Sequence, residues 1–266
     1  MRFSSLRLET HVGEKSLIIP CSADKRECKT VYAVRSGGME IFMQCSGVIV
    51  AAGSGRRMGR DQNKQWILLG GVPMLARTLA VFEACPVVEE IVLVAAQTEL
   101  EQAKRLVQEF QISKVACVTP GGKSRQESVY QGLCRAKGDI VLIHDGARPF
   151  VTVGEIEAVY QETLIWGAAA AGTPVKDTIK QVNSQGLVTD TPPRALLWAA
   201  ATPQGFSRSR LLSLHEQAVG SEATDDSMLA EQAGDRVKMV QCGEQNIKIT
   251  TPEDLKLAEL FLKNET

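Results

Sequence analysis

Short apolar runs alternate with amphipathic stretches from residue 47 onward. Four of these runs predict strands, and they lie at 47–52, 91–94, 115–118 and 140–143. The first run is continuous and ends in glycines, as expected of a buried parallel strand. Between the runs, apolar residues recur at helical spacing in stretches that begin near Pro73, Thr98 and Ser128. Strands that alternate with helices are connected by right-handed crossovers. The pattern therefore predicts an α/β fold, Rossmann-like, with a mainly parallel sheet and helices on both faces.

The pattern changes in the stretch from about 173 to 200, which we call the arm. Residues 178–182 and 187–189 alternate apolar and polar positions around the turn NSQG, which predicts a β-hairpin. A two-stranded excursion cannot bury its own faces. We therefore expect the arm to protrude and to pack against a second copy of the chain. After the arm, the pattern predicts helices near 207–219 and 225–233, strands near 237–241 and 247–249, and a last helix opened by Thr251.

Residues 1–44 do not share the strand and helix pattern. They contain seven basic and five acidic residues, so the segment carries a charge of about +2. Its longest apolar stretch, residues 17–19, is too short for the core of a signal peptide. We interpret residues 1–44 as a weakly structured extension, with Met39 and Met43 as alternative starts, and residues 45–266 as the functional domain.

Composition excludes several classes of protein. The chain has 266 residues, a hydrophobic fraction of 44% and a net charge of -1, so neither a disordered chain nor a general nucleic-acid binder is expected. No apolar run approaches the 18 or more residues of a membrane span. Its seven cysteines include no C-x-x-C pair, which argues against a zinc framework and favours a reducing, cytoplasmic location.

Candidate chemistry follows the predicted strands, because ligands of open parallel sheets bind at the carboxyl ends of the strands. The first strand is followed by Gly53, Gly55, Arg57 and Lys64. Glycines let a backbone approach phosphates closely, and the two cations add charge for a polyphosphate. A turn of glycines with solvated basic residues is the competing interpretation.

Two better-known phosphate motifs do not fit the glycine turns. A dinucleotide fingerprint requires G-x-G-x-x-G, and the third glycine here, Gly59, comes one residue late. A Walker loop requires glycine five residues before its Gly-Lys-Ser, and Cys117 occupies that position before Gly122. Hydride transfer and nucleotide hydrolysis of the P-loop type are therefore disfavoured.

The third and fourth strands are also followed by polar groups. Small residues around Gly122 and Ser128 leave room for a planar base. Asp145 could hold a sugar hydroxyl or a metal, and Arg148 could hold an anion, although a helix cap and a surface arginine are the plainer interpretations. His144 is interpreted as structural. Hydroxyls and cations recur later in the chain, at Thr178, Arg194, Thr224 and Lys248.

Six motifs in order make the interpretation specific. The segment AAGSGRRMG at 51–59, followed by Lys64 and Gln65, resembles the signature of nucleotidyltransferases that activate sugar phosphates. Together with the later motifs, it resembles the 2-C-methyl-D-erythritol 4-phosphate cytidylyltransferase family of the non-mevalonate isoprenoid pathway over about residues 45–263. The later motifs are GGxxRxxSV at 121–129, HDGARP at 144–149, PVKDT at 174–178, WxxxTPQ at 198–204 and NIKITxPED at 246–254.

The resemblance implies transfer of CMP from CTP to methylerythritol phosphate, with Mg²⁺ held mainly by the CTP phosphates and no metal site of the protein's own. It implies catalytic roles for Arg57 and Lys64. The CTP-binding set would be Ala51, Ala52, Gly53, Gly55, Gly122 and Ser128. The acceptor set would be Asp145, Arg148, Thr178, Arg194, Thr224 and Lys248, with Thr178 and Arg194 reaching the neighbouring site of a homodimer formed through the arm.

The sequence departs from the family pattern at one position, and two other functions compete with the one that the resemblance implies. Asn63 stands where the family commonly has proline, which predicts a less preorganised Lys64 but the same reaction. A ribitol 5-phosphate cytidylyltransferase would share the fold, and the pairs Ala51-Ala52 and Arg56-Arg57 favour methylerythritol phosphate. A non-catalytic nucleotide-binding protein is the second rival, and the pair of cations Arg57 and Lys64 argues against it.

Overall fold

The computed structural model describes residues 16–18, 33–36, 39–53, 64–218 and 223–264 of the chain. Its strands are β1 (Ser16–Ile18), β2 (Ala33–Ser36), β3 (Met39–Phe42), β4 (Cys45–Val50), β5 (Leu68–Leu69), β6 (Val72–Pro73), β7 (Glu90–Ala95), β8 (Val115–Pro120), β9 (Ile140–Asp145), β10 (Ala168–Pro174), β11 (Gln181–Val182), β12 (Val188–Asp190), β13 (Trp198–Ser207) and β14 (Lys238–Gln241). Its helices are α1 (Met74–Ala84), α2 (Leu100–Glu109), α3 (Arg125–Leu133), α4 (Val153–Trp166), α5 (Arg208–Gln217), α6 (Asp226–Gln232) and α7 (Pro252–Asn264).

A seven-stranded sheet organises the domain, in the order β14-β10-β13-β9-β4-β7-β8. Strand β4 pairs in parallel with β7 and β9, and β13 is antiparallel to both of its neighbours. The four predicted strands at 47–52, 91–94, 115–118 and 140–143 are β4, β7, β8 and β9. The prediction of a mainly parallel sheet is therefore confirmed.

Successive side chains of the central strands enter two different cores. In β4, Ile49 packs in the cluster that α1, α2 and α4 cover, whereas Val48 and Val50 pack in the cluster that α3, α5 and α6 cover. This is the period of two expected of a strand that is buried on both sides. A third, smaller cluster joins α7 to the segment around Ile249. The prediction of helices on both faces is confirmed.

Two local predictions about helices and strands are wrong. The spacing of Thr98 and Glu101 predicts a capping box, but residues 97–99 form a 3-10 turn, and α2 has no side-chain cap. The capping box lies instead at Thr152 and Glu155, where it opens α4. The strand predicted near 247–249 is also absent, and this segment, which includes Lys248, is an extended loop.

The arm is present as a hairpin whose strands are β11 and β12. The residues between β10 and β13 are almost all exposed, and they include apolar side chains such as Leu187, Val188 and Leu196. The base of the arm is closed by a hydrogen bond from Val175 N to the Leu197 carbonyl oxygen at 3.0 Å. A hairpin is therefore confirmed, and its role in dimerisation stays a prediction.

Strands β1, β2 and β3 form a separate antiparallel sheet ahead of the domain. The expectation that residues 1–44 are weakly structured stays a prediction. None of the helices in the described ranges is long and apolar enough to span a membrane.

Candidate active site

A cleft of about 660 Å³ lies at the carboxyl ends of β4, β8 and β9. Among the described residues, its lining includes one carboxylate, Asp145, and four cationic side chains, Lys64, Lys123, Arg125 and Lys248. A cleft with this excess of positive charge attracts polyanions. The position at the ends of parallel strands is the one expected for a ligand site in an open sheet.

The turn after β8 is built so that backbone lines the cleft. A Cβ at Gly121 would lie 2.4 Å from the Ala52 Cβ and 2.7 Å from Ser128 Oγ, so only glycine fits there. The amide of Gly122 donates to Ser128 Oγ at 3.1 Å, and the hydroxyl of Ser128 donates to the Ser124 carbonyl oxygen at 2.8 Å. This side of the cleft therefore combines small residues with oriented polar groups.

Lys64 enters the cleft from a 3-10 turn, Lys64–Trp66, which also places Gln65 in the interior. Its Nζ donates to the carbonyl oxygen of Ile249 at 3.2 Å. The amide of Ile249 in turn donates to the Ala147 carbonyl oxygen at 2.9 Å. The extended loop around Ile249 is thus held against the HDGARP segment, and it positions the ammonium of Lys64 at the wall of the cleft.

Asp145 lies at the end of β9 and is surrounded by three cations. Its carboxylate oxygens are 2.8 Å from Lys248 Nζ, 3.4 Å from Arg125 Nε and 3.6 Å from Arg148 Nε. Burial by itself would raise the pKa of Asp145, but Arg125 and Lys248 hold that pKa well below its ordinary value. The carboxylate is therefore ionised at neutral pH.

Arg148 faces a second cavity, of about 490 Å³, which Lys248 shares with the cleft. Its Nη1 donates to the carbonyl oxygen of Asn246 at 2.7 Å. The side-chain amide of Asn246 donates to the Thr202 carbonyl oxygen at 3.0 Å. The two cavities are neighbours. The ends of β10 and β13 at the base of the arm form part of the wall of the second cavity.

His144 supports Asp145 from behind. The carbonyl oxygen of Arg148 can only accept, so His144 Nε2 donates to it at 3.2 Å. In the neutral ring Nδ1 then accepts from the Thr202 hydroxyl at 3.0 Å, and Thr202 Oγ1 accepts from the amide of Asp145 at 3.1 Å. Burial lowers the pKa of His144 to about 4, so the ring is neutral at neutral pH. The structural interpretation of His144 agrees with these contacts.

The predicted site residues fall into five groups. Seven of them line the cleft: Ala52, Gly53, Lys64, Gly122, Ser128, Asp145 and Lys248. Ala51 is buried beside it, and Arg148 lines the second cavity. Thr178, Arg194 and Thr224 line neither cavity of this chain. Gly55, Arg57 and Asn63 lie outside the described residues.

Arg125 is the clearest cleft residue that the sequence-based site set leaves out. It occupies a fixed position in the motif GGxxRxxSV, but its two carboxylate partners, Asp145 and Asp226, are far from it along the chain. Thr250 and Gln65 also line the cleft. Both belong to motifs that carry the resemblance: Gln65 follows Lys64, and Thr250 lies two residues after Lys248. Their positions in these motifs could have identified them as cleft residues.

Comparisons with known proteins place the chain in one family over most of its length. The family model described as IspD, 2-C-methyl-D-erythritol 4-phosphate cytidylyltransferase, matches residues 45–264. The enzyme of that name from Desulforamulus reducens is 47% identical over 221 residues, which is 81% of this chain and 94% of the relative. Its counterpart from Geobacillus kaustophilus is 45% identical and covers 83% of this chain and 97% of its own length.

Solved structures show the same fold. The 4-diphosphocytidyl-2C-methyl-D-erythritol synthase of Anaerococcus prevotii superposes with a TM-score of 0.74 at 29% identity, over 83% of this chain and 99% of its own. The 2-C-methyl-D-erythritol 4-phosphate cytidylyltransferase of Thermus thermophilus superposes with a TM-score of 0.69 at 31% identity, over 83% of this chain and 100% of its own.

Proposed function

The chain belongs to the 2-C-methyl-D-erythritol 4-phosphate cytidylyltransferase family, and from that premise we propose how its own residues carry out the transfer. The chain is a nucleotidyltransferase that uses CTP to cytidylylate methylerythritol phosphate in isoprenoid biosynthesis. One observation supports the assignment of roles most strongly. The described members of the phosphate and base motifs, which are scattered over the sequence, line one cationic cleft.

The reaction joins two anions, so it needs positive charge more than it needs a base. A phosphate oxygen of the acceptor attacks the α-phosphorus of CTP, the bond from that phosphorus to the β-bridging oxygen breaks, and pyrophosphate leaves. The attacking phosphate is already ionised at neutral pH. Catalysis therefore rests on positioning and on stabilising the charge that grows on the departing pyrophosphate.

We assign the nucleotide to the side of the cleft formed by Ala52, Gly53, Gly122 and Ser128. Gly121 keeps β4, β8 and α3 close enough for a flat base to lie between small residues. The Ser128 hydroxyl is already ordered by the Ser124 carbonyl oxygen, so little freedom is lost on binding. Ala51, beside this wall, and Gly55 belong to the same proposed set.

We assign the triphosphate to the cationic wall that contains Lys64, and we infer that Arg57 acts with it on the leaving pyrophosphate. Mg²⁺ is assigned to this cleft as a companion of CTP, because Mg²⁺ commonly takes its ligands from substrate phosphates and water. Bound there, the ion would neutralise part of the phosphate charge. Lys64 contributes an ammonium that is already held in position. Little solvent therefore has to reorganise around it when charge develops on the pyrophosphate.

We place the acceptor phosphate between the cleft and the second cavity. Lys248 lines both, and Arg148 lines the second, so two cations meet where the acceptor must approach CTP. The ionised carboxylate of Asp145 is suited to accept hydroxyl hydrogen bonds from the polyol. Thr224 is assigned to the same substrate from the segment that precedes α6.

We infer that the arm completes this site in a second copy of the chain. Thr178 and Arg194 lie on an exposed arm and line neither cavity of their own chain. Apolar side chains of the arm, such as Leu187 and Leu196, are more than half exposed, at 61% and 77%, which favours burial against a partner. A homodimer would therefore place Thr178 and Arg194 beside the partner's acceptor cavity.

The cytoplasm is the location that we propose. The five cysteines in the described ranges are free thiols, and burial raises the pKa of Cys85 to about 11. The three buried thiols, Cys45, Cys85 and Cys242, behave as small core hydrophobes, as cysteines commonly do in a reducing compartment. With a net charge of -1 over the whole chain, we expect no affinity for nucleic acid.

The test is pyrophosphate release with CTP and separate acceptors. We expect turnover with methylerythritol phosphate to exceed that with ribitol 5-phosphate by about 100-fold or more, because ribitol 5-phosphate is longer by one hydroxyl-bearing carbon and lacks the methyl branch, so it fits the same site less well. The exchange of CTP for ATP or GTP is the matched control on the nucleotide side. Dominant turnover of ribitol phosphate would refute the acceptor assignment, and binding without pyrophosphate release would support a non-catalytic role.

A further inference from the structure

A chain of ion pairs and hydrogen bonds runs from the cleft into the interior. Asp145 is 3.4 Å from Arg125, Arg125 is 2.7 Å from Asp226, and Asp226 is 3.0 Å from His215. The side chains of Asp226 and His215 are only 2% and 1% exposed. Neither of these two residues has a part in the mechanism above.

Arg125 is the central member of this chain, and it uses two different nitrogens. Its Nε faces Asp145 Oδ1, at the end of β9, and its Nη1 donates to Asp226 Oδ2, at the start of α6. It is itself the first residue of α3, the helix that presents Ser128 to the nucleotide side. One guanidinium thus joins α3 to the end of β9 and to the start of α6.

Asp226 is fixed as tightly as Arg125. Gln204 Oε1 accepts from the backbone amides of Asp226 and Ser227, both at 3.2 Å, and His215 Nε2 contacts the second carboxylate oxygen of Asp226. Burial opposes the charge of Asp226, but Arg125 and His215 hold its pKa below the ordinary value. Thr224, a proposed acceptor contact, lies two residues before this anchor.

We propose that Arg125 is a positioning residue that holds Asp145 and the segment 224–226 in register, so that acceptor-binding groups from β9 and from the start of α6 face the same ligand. This assignment rests on the proposed function, because it concerns the acceptor that Asp145 and Thr224 are proposed to bind. A forked guanidinium satisfies two carboxylates in fixed directions, whereas a lysine ammonium is a point charge on a shorter reach. Arg125→Lys therefore keeps the charge and loses the connection.

The experiment measures acceptor KM and CTP affinity separately. In Arg125→Lys and in Asp226→Asn, we expect the KM for methylerythritol phosphate to rise about 10-fold or more, while the Kd for CTP from calorimetry changes less than about 3-fold. The double variant should be no worse than the worse single variant, because both changes break one connection. Melting curves identify folded preparations, and the isosteric Asp226→Asn decides the question if Arg125→Lys does not fold.

A matched control is the exposed pair Arg210 and Asp235, which has two hydrogen bonds of 2.8 and 3.0 Å outside the cleft. Arg210→Lys should leave both constants unchanged. An acceptor KM within about 2-fold of wild type in the folded variants, or a CTP Kd that rises as much as the acceptor KM, would overturn the positioning role. A wild-type chain without transfer to any acceptor would instead overturn the proposed function and this assignment with it.

Discussion

Gly121 stands where the ends of β4 and β8 come closest to α3. In Gly121→Ala, the added methyl would meet the Cβ of Ala52 at 2.4 Å, so the backbone on the nucleotide side must move apart. We expect the Kd for CTP to rise about 10-fold or more, together with a loss of stability of about 1–3 kcal/mol from overpacking. Calorimetric titration with CTP measures the first quantity and denaturant unfolding the second.

The matched control for this substitution is Gly154→Ala. A methyl at Gly154 meets no atom within 4 Å, and the residue lies inside α4. Here the substitution should leave CTP binding unchanged and stabilise the chain by about 0.5–1 kcal/mol, because alanine favours the helix. Equal effects of the two substitutions on CTP binding would show that Gly121 has no special place in the cleft.

Lys64 carries the strongest prediction about rate. Lys64→Ala removes an ammonium that is held at the wall of the cleft by the Ile249 carbonyl oxygen. We expect turnover to fall by roughly 100-fold or more and the affinity for CTP to fall less, because the charge is needed most as pyrophosphate departs. Pyrophosphate release gives the rate, and the exposed Lys104, which pairs with Glu101 on α2, provides the control Lys104→Ala.

His144 makes the stability of the fold depend on pH. Its pKa is about 4 in the folded chain against an ordinary value of 6.5, so the unfolded chain binds more protons between these values. Stability is therefore complete above about pH 6.5 and falls as the pH drops toward 4. Unfolding in denaturant at pH 7 and pH 4.5 should differ by about 2–3 kcal/mol from this residue.

The control is His144→Gln, whose amide can still accept from Thr202 and donate to the Arg148 carbonyl oxygen but does not titrate. The difference between pH 7 and pH 4.5 should shrink by the same amount in this variant. Because the pKa of Asp145 is lowered in the folded chain, the contribution of Asp145 to stability is lost mainly at pH values below those compared here. An unchanged pH dependence would show that His144 is not the titrating group.

Secondary-structure elements were predictable where one local pattern decides them. Continuous apolar runs predicted β4, β7 and β9, because a strand buried on both faces needs no polar positions. The run at 115–118 predicted β8 as well, although β8 is an edge strand and only partly buried. The strand predicted near 247–249 does not form. Ile249 is buried under α7, and its backbone forms hydrogen bonds with Ala147 and with the side chain of Lys64 rather than with a strand. The box at Thr98 failed because a 3-10 turn precedes α2.

The apolar surface of the arm should govern self-association. Leu187 and Val188 are 61% and 59% exposed in the single chain. Val188→Asp would place a charge on this surface, and we expect the dimer dissociation constant to rise about 10-fold or more. Sedimentation velocity across a dilution series measures this constant. The exposed turn residue Gln185 gives the control Gln185→Asp, and a dimer indifferent to Val188→Asp would place the interface elsewhere.

At the level of the whole molecule, the proposed exchange of Arg194 between subunits can be tested by mixing. Lys64→Ala and Arg194→Ala chains are each expected to be poorly active. If Arg194 serves the partner's site, a heterodimer of the two has one site with both changes and one site with neither. Random mixing should therefore restore about a quarter of wild-type activity. No recovery after demonstrated subunit exchange would place Arg194 in the site of its own chain.

Contacts between distant parts of the chain set the limit of prediction. The motifs located the cleft, because each follows a strand of the same sheet. They did not connect Arg125 with Asp226, which is 101 positions away, since a charge pair of that separation leaves no periodicity. The same holds for Gln204, whose contacts with the start of α6 arise only when β13 is in place.

Because its base is closed by paired strands, the arm can be exchanged as a unit. Strands β10 and β13 stay paired as far as Pro174 and Trp198, and the bond from Val175 to Leu197 seals the junction. A segment inserted between Pro174 and Trp198 therefore begins and ends at neighbouring positions of the paired strands β10 and β13. Tips from other members of the family could therefore be grafted onto this scaffold without disturbing its register, and chimeras of that kind would separate partner choice from catalysis.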